Sequence, residues 1–276
     1  GNINGADVQV WNLAPHQIFN SCISYAFGGW DENQNGAWPG SSNIVTDVVF
    51  EENSYRLNQY SPCISGGLDT TIVPAFDIEG NPRPYPVGSN PDIGAYESPF
   101  THNSFIYVSS SGDDDDGFGE ESSPFATIQA AIDYSRDSDT VLVQPGTYVE
   151  NINFHSKSIV VGSLTLTSQD PSYVTQTIID GNESGSCVII SNFSEINGFT
   201  VTNGWGSGAG LSCGGSARLV NLLITDNYSI GSGGGMTVNG NIELVNSIVS
   251  NNYADCCGAG MEVLGGHLTL TNSIIS

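Results

Sequence analysis

The sequence predicts an all-β solenoid, a parallel β-helix with coils of about 24–26 residues, and three observations carry that expectation. The stretches "INGFTVTNGW", "VNLLITDNYS", "VNSIVSNNYA" and "TNSIIS" align on one asparagine, at Asn197, Asn221, Asn246 and Asn272, in steps of 24, 25 and 26. Apolar residues inside each unit alternate instead of recurring at helical spacing, which means short strands with one face turned inward. Glycine and asparagine cluster between the alternating runs, where turns are needed.

Each element follows from this alignment. Leu211 and Cys213 recur as Met236 and Val238, then as Met261 and Val263, with Cys187 and Ile189 in the same places one coil earlier. Phe199, Leu223, Ile248 and Ile274 are expected to form a second inward column. Asn203, Asn227 and Asn252 lie six residues after Asn197, Asn221 and Asn246. Both asparagine sets are expected to stack as ladders, because an amide donates to the coil on one side and accepts from the other. Gly210, Gly235 and Gly260 are expected where turns require positive φ.

Upstream of the repeat, Ser123 and Pro124 suit the cap and first position of a short helix. Phe125, Ile128, Ala131 and Ile132 give it one apolar face, which would cover the first coil and its strand edges. Residues 1–97 read as a different region. "FNSCISYAF" fits the same strand pattern, with Asn20 in the asparagine column and Cys22 facing inward. "YRLNQYSPCISGG" and "NPDIGAYE" then close the region at Glu97. The expected organisation is therefore a closing part over residues 1–97, a linker over 98–104, and a cap with the first coils of a second solenoid over 105–276.

The Ser-Pro-Cys-Ile and Asp-Ile-Gly-Ala-Tyr-Glu motifs resemble the closing segment of secreted bacterial right-handed β-helix repeat proteins. "VQPGTYVEN" at 143–151 is similar to the first coils of pectate-lyase-like and pectinesterase-like domains, and the likeness runs to about Gly181. The resemblance implies right-handed winding, the C-terminal end of one β-helix followed by the start of another, and an extracellular or cell-surface location. It also implies two uses, a scaffold or adhesin-like module touching polysaccharide, or a lyase-like or esterase-like enzyme with its catalytic coils beyond Ser276.

Charge and composition narrow the partners. With 29 acidic and 5 basic side chains the formal charge is −24, which disfavours nucleic acid, whose phosphates need Lys and Arg. No apolar run reaches membrane-spanning length, and nothing in the pattern calls for more than a monomer. Lyases of the resembling group use a basic residue beside calcium held by acidic groups. Here Arg218 reads as a solitary residue with no acidic cluster in its own or the next coil, so no catalytic residue is assigned. Calcium is the one ion considered, at the run Asp113, Asp114, Asp115 and Asp116, although the run lacks calcium-loop spacing and also reads as a solvated acidic stretch. Cys22, Cys187 and Cys213 fall in the inward columns and are expected to act as small core hydrophobes, and no disulfide is expected to be needed for folding, Cys256–Cys257, together in a turn, being the one pair left open. Trp205, Tyr228 and Tyr253 follow the second asparagines in consecutive coils and form the candidate carbohydrate-binding ladder, against the reading that they simply cover turns.

Overall fold

A computed structural model describes residues 50–51, 54–67, 74–115 and 117–276, together with the backbone of two short strands, Cys22–Ile23 and Ile44–Val45. The chain divides into two units, residues 1–103 and 104–276. The architecture is all-β, with parallel sheets and few helices. Cys22–Ile23 pairs in parallel with Ile44–Val45. The expected placing of Asn20 and of the Cys22 side chain falls outside the described residues.

The second unit has three long parallel ladders, each adding one strand per coil, and a short fourth that pairs Tyr228–Ser229 with Tyr253–Ala254. The first runs through Phe105–Val108, Thr140–Val143, Val160–Ser163, Ser194–Asn197 and Ala217–Val220. It continues into the ends of the long strands Met236–Val245 and Met261–Thr271. The second ladder joins Ile152–Asn153, Val188–Ile190 and Leu211–Cys213 to the beginnings of those long strands. The third stacks Gly146–Val149, Thr177–Asp180, Thr200–Thr202, Leu223–Thr225, Ile248–Ser250 and Ile274–Ile275.

Register turns alternation into columns. Ile106, Val141, Val161, Ile196, Leu219, Leu244 and Leu270 stand opposite one another along the first ladder. Tyr148, Ile179, Val201, Ile224, Val249 and Ile275 do the same along the third. Ile152, Val188, Leu211, Met236 and Met261 form the second column. Most of these side chains are fully buried in one continuous core, so hydrophobic burial and the backbone ladder reinforce each other at every coil.

Several expected columns are slipped by one residue. Asn197 pairs with Val220, not Asn221, so this coil steps by 23 residues where the asparagine alignment used 24. Leu223, Ile248 and Ile274 do stack together, but Thr200 lies beneath them and they face outward, Ile248 42% and Ile274 59% exposed. Phe199 is buried elsewhere in the core. Likewise Val188 and Ile190, not Cys187 and Ile189, continue the column of Leu211 and Cys213. The later step of 26 is absorbed by a bulge after Val238, which leaves Leu264 as the extra residue.

The helix also starts later than expected. It spans Ile128–Tyr134 with Thr127 as N-cap, and it buries Ile128, Ala131 and Ile132. Ser123–Phe125 instead runs extended, and Phe125 exchanges backbone hydrogen bonds with the edge of Phe105–Val108. A longer helix would leave that edge unpaired, so the extended segment and the helix share the task of covering the first coil.

The first unit has a small core of Leu57, Cys63, Ile64 and Ile93, with Phe100 packed against it. Cys63 is disulfide-bonded, which corrects the expectation that Cys256–Cys257 is the one pair open to a disulfide.

Candidate functional site

The asparagines sort into corners and an interior ladder. Gly198, Asn221, Asn246 and Asn272 occupy one corner with φ of +88°, +53°, +50° and +48°. Asn203, Asp226 and Asn251 occupy a second corner, each at +56°. Glycine, and among other residues asparagine and aspartate, best tolerate that conformation, so the repeat records a backbone requirement. Asn246 and Asn272 are exposed, which corrects the single interior column Asn197, Asn221, Asn246 and Asn272. Asn221 does donate to Asn197 (3.0 Å), and Asn197, itself buried, to Glu195 (2.8 Å).

Among the described residues the interior ladder is Asn227 and Asn252, one residue beyond the second corner. Asn227 donates through Nδ2 to the carbonyls of Val201 and Thr225 and to Asn252 Oδ1, at 3.1, 3.0 and 2.9 Å. Its Oδ1 accepts from Gly204 N–H at 2.9 Å. Asn252 repeats the pattern toward Ile224 and Ser250. Asn203 belongs instead to the outer corner, where it donates to Asp180.

The glycines also need a corrected reason. Gly210, Gly235 and Gly260 form a column without positive φ. A Cβ at Gly210 or Gly235 would come within 2.3 Å of the next coil's carbonyl oxygen, so close approach is what requires glycine. Positive φ belongs to Gly208, Gly233 and Gly258, at +63°, +67° and +59°.

Trp205, Tyr228 and Tyr253 are brought together as the sequence places them. Trp205 stacks on Tyr228 with centroids 4.6 Å apart and planes 18° off parallel, and Tyr228 on Tyr253 at 5.0 Å and 14°. Tyr228 donates its hydroxyl to Asp255 at 2.7 Å, a bond that raises its pKa. The inner ring faces are therefore spent on one another. Ring edges remain, with the outer faces at the two ends, Trp205 being 40% and Tyr253 55% exposed. The coil before Trp205 offers Gly185, whose carbonyl accepts from Trp205 N–H, so no side chain of that residue covers the indole.

Within the acidic run, Asp114 fastens the segment that enters the helix. Asp114 accepts from Ala126 N–H, Thr127 N–H and the Thr127 hydroxyl, at 2.7, 3.0 and 2.8 Å. Asp113 accepts from Asp115 N–H, and Asp116 lies outside the described residues. Among the described residues no three His, Cys, Asp or Glu side chains converge as a metal site would require. Glu150 accepts from Ile128 and Gln129 N–H at 2.9 Å each, and burial raises its pKa against those bonds. At the other helix end Lys157 donates to the carbonyls of Ile132, Asp133 and Ser135 at 2.7 Å. Burial brings this ammonium down to about 8, opposed by Asp133, Asp139 and Asp137. A seven-residue helix thus has its terminal groups answered from distant loops.

Arg218 is not solitary. Glu195 and Glu243 stand opposite it on the neighbouring strands, at 2.9 and 3.2 Å. Their spacing of 23 and 25 residues is the coil length, which is the signal that would have found them. The hydrogen bond to Glu195, aided by both carboxylates, raises the Arg218 pKa.

In the first unit, the closing motifs are built around carboxylates. Asp92 accepts from Ser65 and Ser98 N–H, both at 2.7 Å. Glu97 accepts from Tyr85 and Asp92 N–H and pairs with Arg83 at 2.9 Å. Asp77 accepts from Glu79, Asn81 and Glu97 N–H and from the Asn81 amide. These groups staple loops, and sequence reasoning assigned them no role.

Cys187 and Cys213 are buried free thiols, each pushed up to about 12 by burial and therefore inert. Cys187 donates to Thr202 O at 3.1 Å beside the asparagine ladder. No family model matches the chain, and neither the curated proteins nor the solved structures give a match.

Proposed function

We propose that the chain is part of a secreted or cell-surface protein of tandem right-handed parallel β-helices, which contacts polysaccharide as an adhesin-like scaffold without catalysis in these coils. The winding is supported by coil steps of 23 to 26 residues with in-register pairing, and by the resemblance of the closing and opening motifs. A disulfide at Cys63 fits an oxidising compartment. The observation that carries polysaccharide contact is the solvent-side column Trp205–Tyr228–Tyr253, whose two end faces and edges offer apolar surface to a sugar ring. Its charge of −24 favours neutral chains, or acidic ones bridged by calcium.

Glycan-array binding, with and without calcium, tests this reading on the wild type and on a Trp205→Ala, Tyr228→Ala, Tyr253→Ala variant of verified fold. Binding by the wild type and loss in the variant supports it. Equal binding by both, or none by either, returns the aromatics to turn packing.

One observation favours the enzymatic reading, the basic residue Arg218 flanked by Glu195 and Glu243 on an outward sheet face. Its pairing with both carboxylates, which raises its pKa, weighs against a lyase base. Calcium-dependent release of unsaturated products from pectate or alginate would put that reading first.

A further inference from the structure

Cys256 and Cys257 are exposed free thiols in the turn after Tyr253–Ala254, with their Sγ atoms 2.6 Å apart. Two sulfurs that merely touch stay farther apart, and a disulfide needs about 2.05 Å. Zinc fits worse, since two sulfurs at about 2.3 Å from a tetrahedral ion lie roughly 3.8 Å from each other. No third ligand joins them among the described residues. The backbone holds the pair in place: Cys256 N–H donates to Gly231 O at 2.9 Å, and Cys257 O accepts from Gly233 N–H at 3.2 Å.

We propose that Cys256 and Cys257 are an oxidative modification site, a dithiol that closes reversibly to a vicinal disulfide by exchange with a small-molecule disulfide. One protein thiolate attacks the small disulfide, forming a mixed disulfide and releasing one small thiol. The adjacent thiolate then attacks the protein sulfur of that bond and releases the second. The protein loses two electrons and two protons, and the reagent gains them as two thiols. Adjacent Cα atoms are about 3.8 Å apart, below the usual disulfide range of about 4.4–6.8 Å, so the ring is strained and readily reopened. Ring closure stiffens the turn bearing Asp255, which accepts the Tyr228 hydroxyl, and so bears on the aromatic column.

The test is mass analysis of the peptide carrying residues 256–257, after mild thiol treatment of the folded protein, exposure to glutathione disulfide, and alkylation. The expected peptide is two hydrogens lighter than the dithiol, with no alkyl group and no glutathione retained. A monothiol should then restore two alkylatable sites. In Cys256→Ser, Cys257 should keep one glutathione. Glutathione retained on the wild type, no reaction, a bond to another chain, or a ring that does not reopen would each overturn the proposal.

Discussion

The two units are held by opposite means. The second repeats one solution: aliphatic columns such as Ile196, Leu219 and Leu244 are buried coil after coil, and backbone ladders link them. The described residues of the first unit from 50 onward are held differently. Their buried cluster is Leu57, Cys63, Ile64 and Ile93, and their loops are fastened by Asp77, Asp92 and Glu97, each accepting hydrogen bonds from backbone N–H groups distant in sequence. Periodic burial spreads stability over many small equal contacts, whereas stapled loops concentrate it in a few charged groups.

The sharpest break in the periodic unit is Asn227→Leu. It strips acceptors and donors from Gly204 N–H, Val201 C=O, Thr225 C=O and Asn252. Leaving several buried polar groups unmatched should cost about 3 kcal/mol, read as a lowered midpoint of chemical unfolding. Asn246→Leu is the control, because Asn246 is exposed and only its φ of +50° is at stake. That change should cost about 1–2 kcal/mol from backbone strain. Equal losses for the two would refute the division between corner and interior asparagines.

That division marks the limit of what the sequence discloses. The repeat, the inward place of Leu211 and Met236, and the aromatic column were all legible, because neighbours across coils sit one period apart. The coil of Asn197 misled because Gly198 holds the corner there, and glycine and asparagine meet the same φ requirement with different letters. Glu195, Arg218 and Glu243 were legible in principle once the period was known. Glu150 and Lys157 were not, since each answers a helix end more than twenty residues away in a segment with no repeat. The carboxylate staples stayed hidden for the same reason, although their motifs stood out.

The stapled unit should respond to pH where the columns do not. Burial raises the pKa of Asp92 and of Glu97 against their hydrogen bonds. A raised carboxyl binds more protons in the folded state, so its contribution is full below the unfolded values of 3.8 and 4.5 and is lost as pH climbs through the folded value. Asp77 has the opposite sign. Burial pushes it up, but the hydrogen bonds from Glu97, Asn81 and Glu79 prevail and lower it, so its contribution is lost as pH falls below 3.8. Amide-exchange protection at Ser65, Tyr85 and Ser98, corrected for intrinsic rate, should therefore weaken from mildly acid toward neutral pH. The double variant Asp92→Asn, Glu97→Gln should flatten that slope, and an unchanged slope would remove these two groups from the account.

The smallest effect belongs to the charged column on the face of the periodic unit. Arg218 is half-exposed between Glu195 and Glu243, and its inward neighbours Ala217 and Leu219 already supply the burial at that strand. Exposed ion pairs contribute little, so Arg218→Gln should cost on the order of 0.5 kcal/mol and even less in concentrated salt. Removing the cation leaves Glu195 and Glu243 two coils apart, roughly 10 Å by strand spacing, where their mutual repulsion is largely screened. A loss above about 2 kcal/mol would mean the column is structural after all, and that charge as well as aliphatic stacking holds the coils in register. A negligible loss leaves the triplet free to serve a surface role, which is the condition under which the enzymatic reading of this face keeps any force.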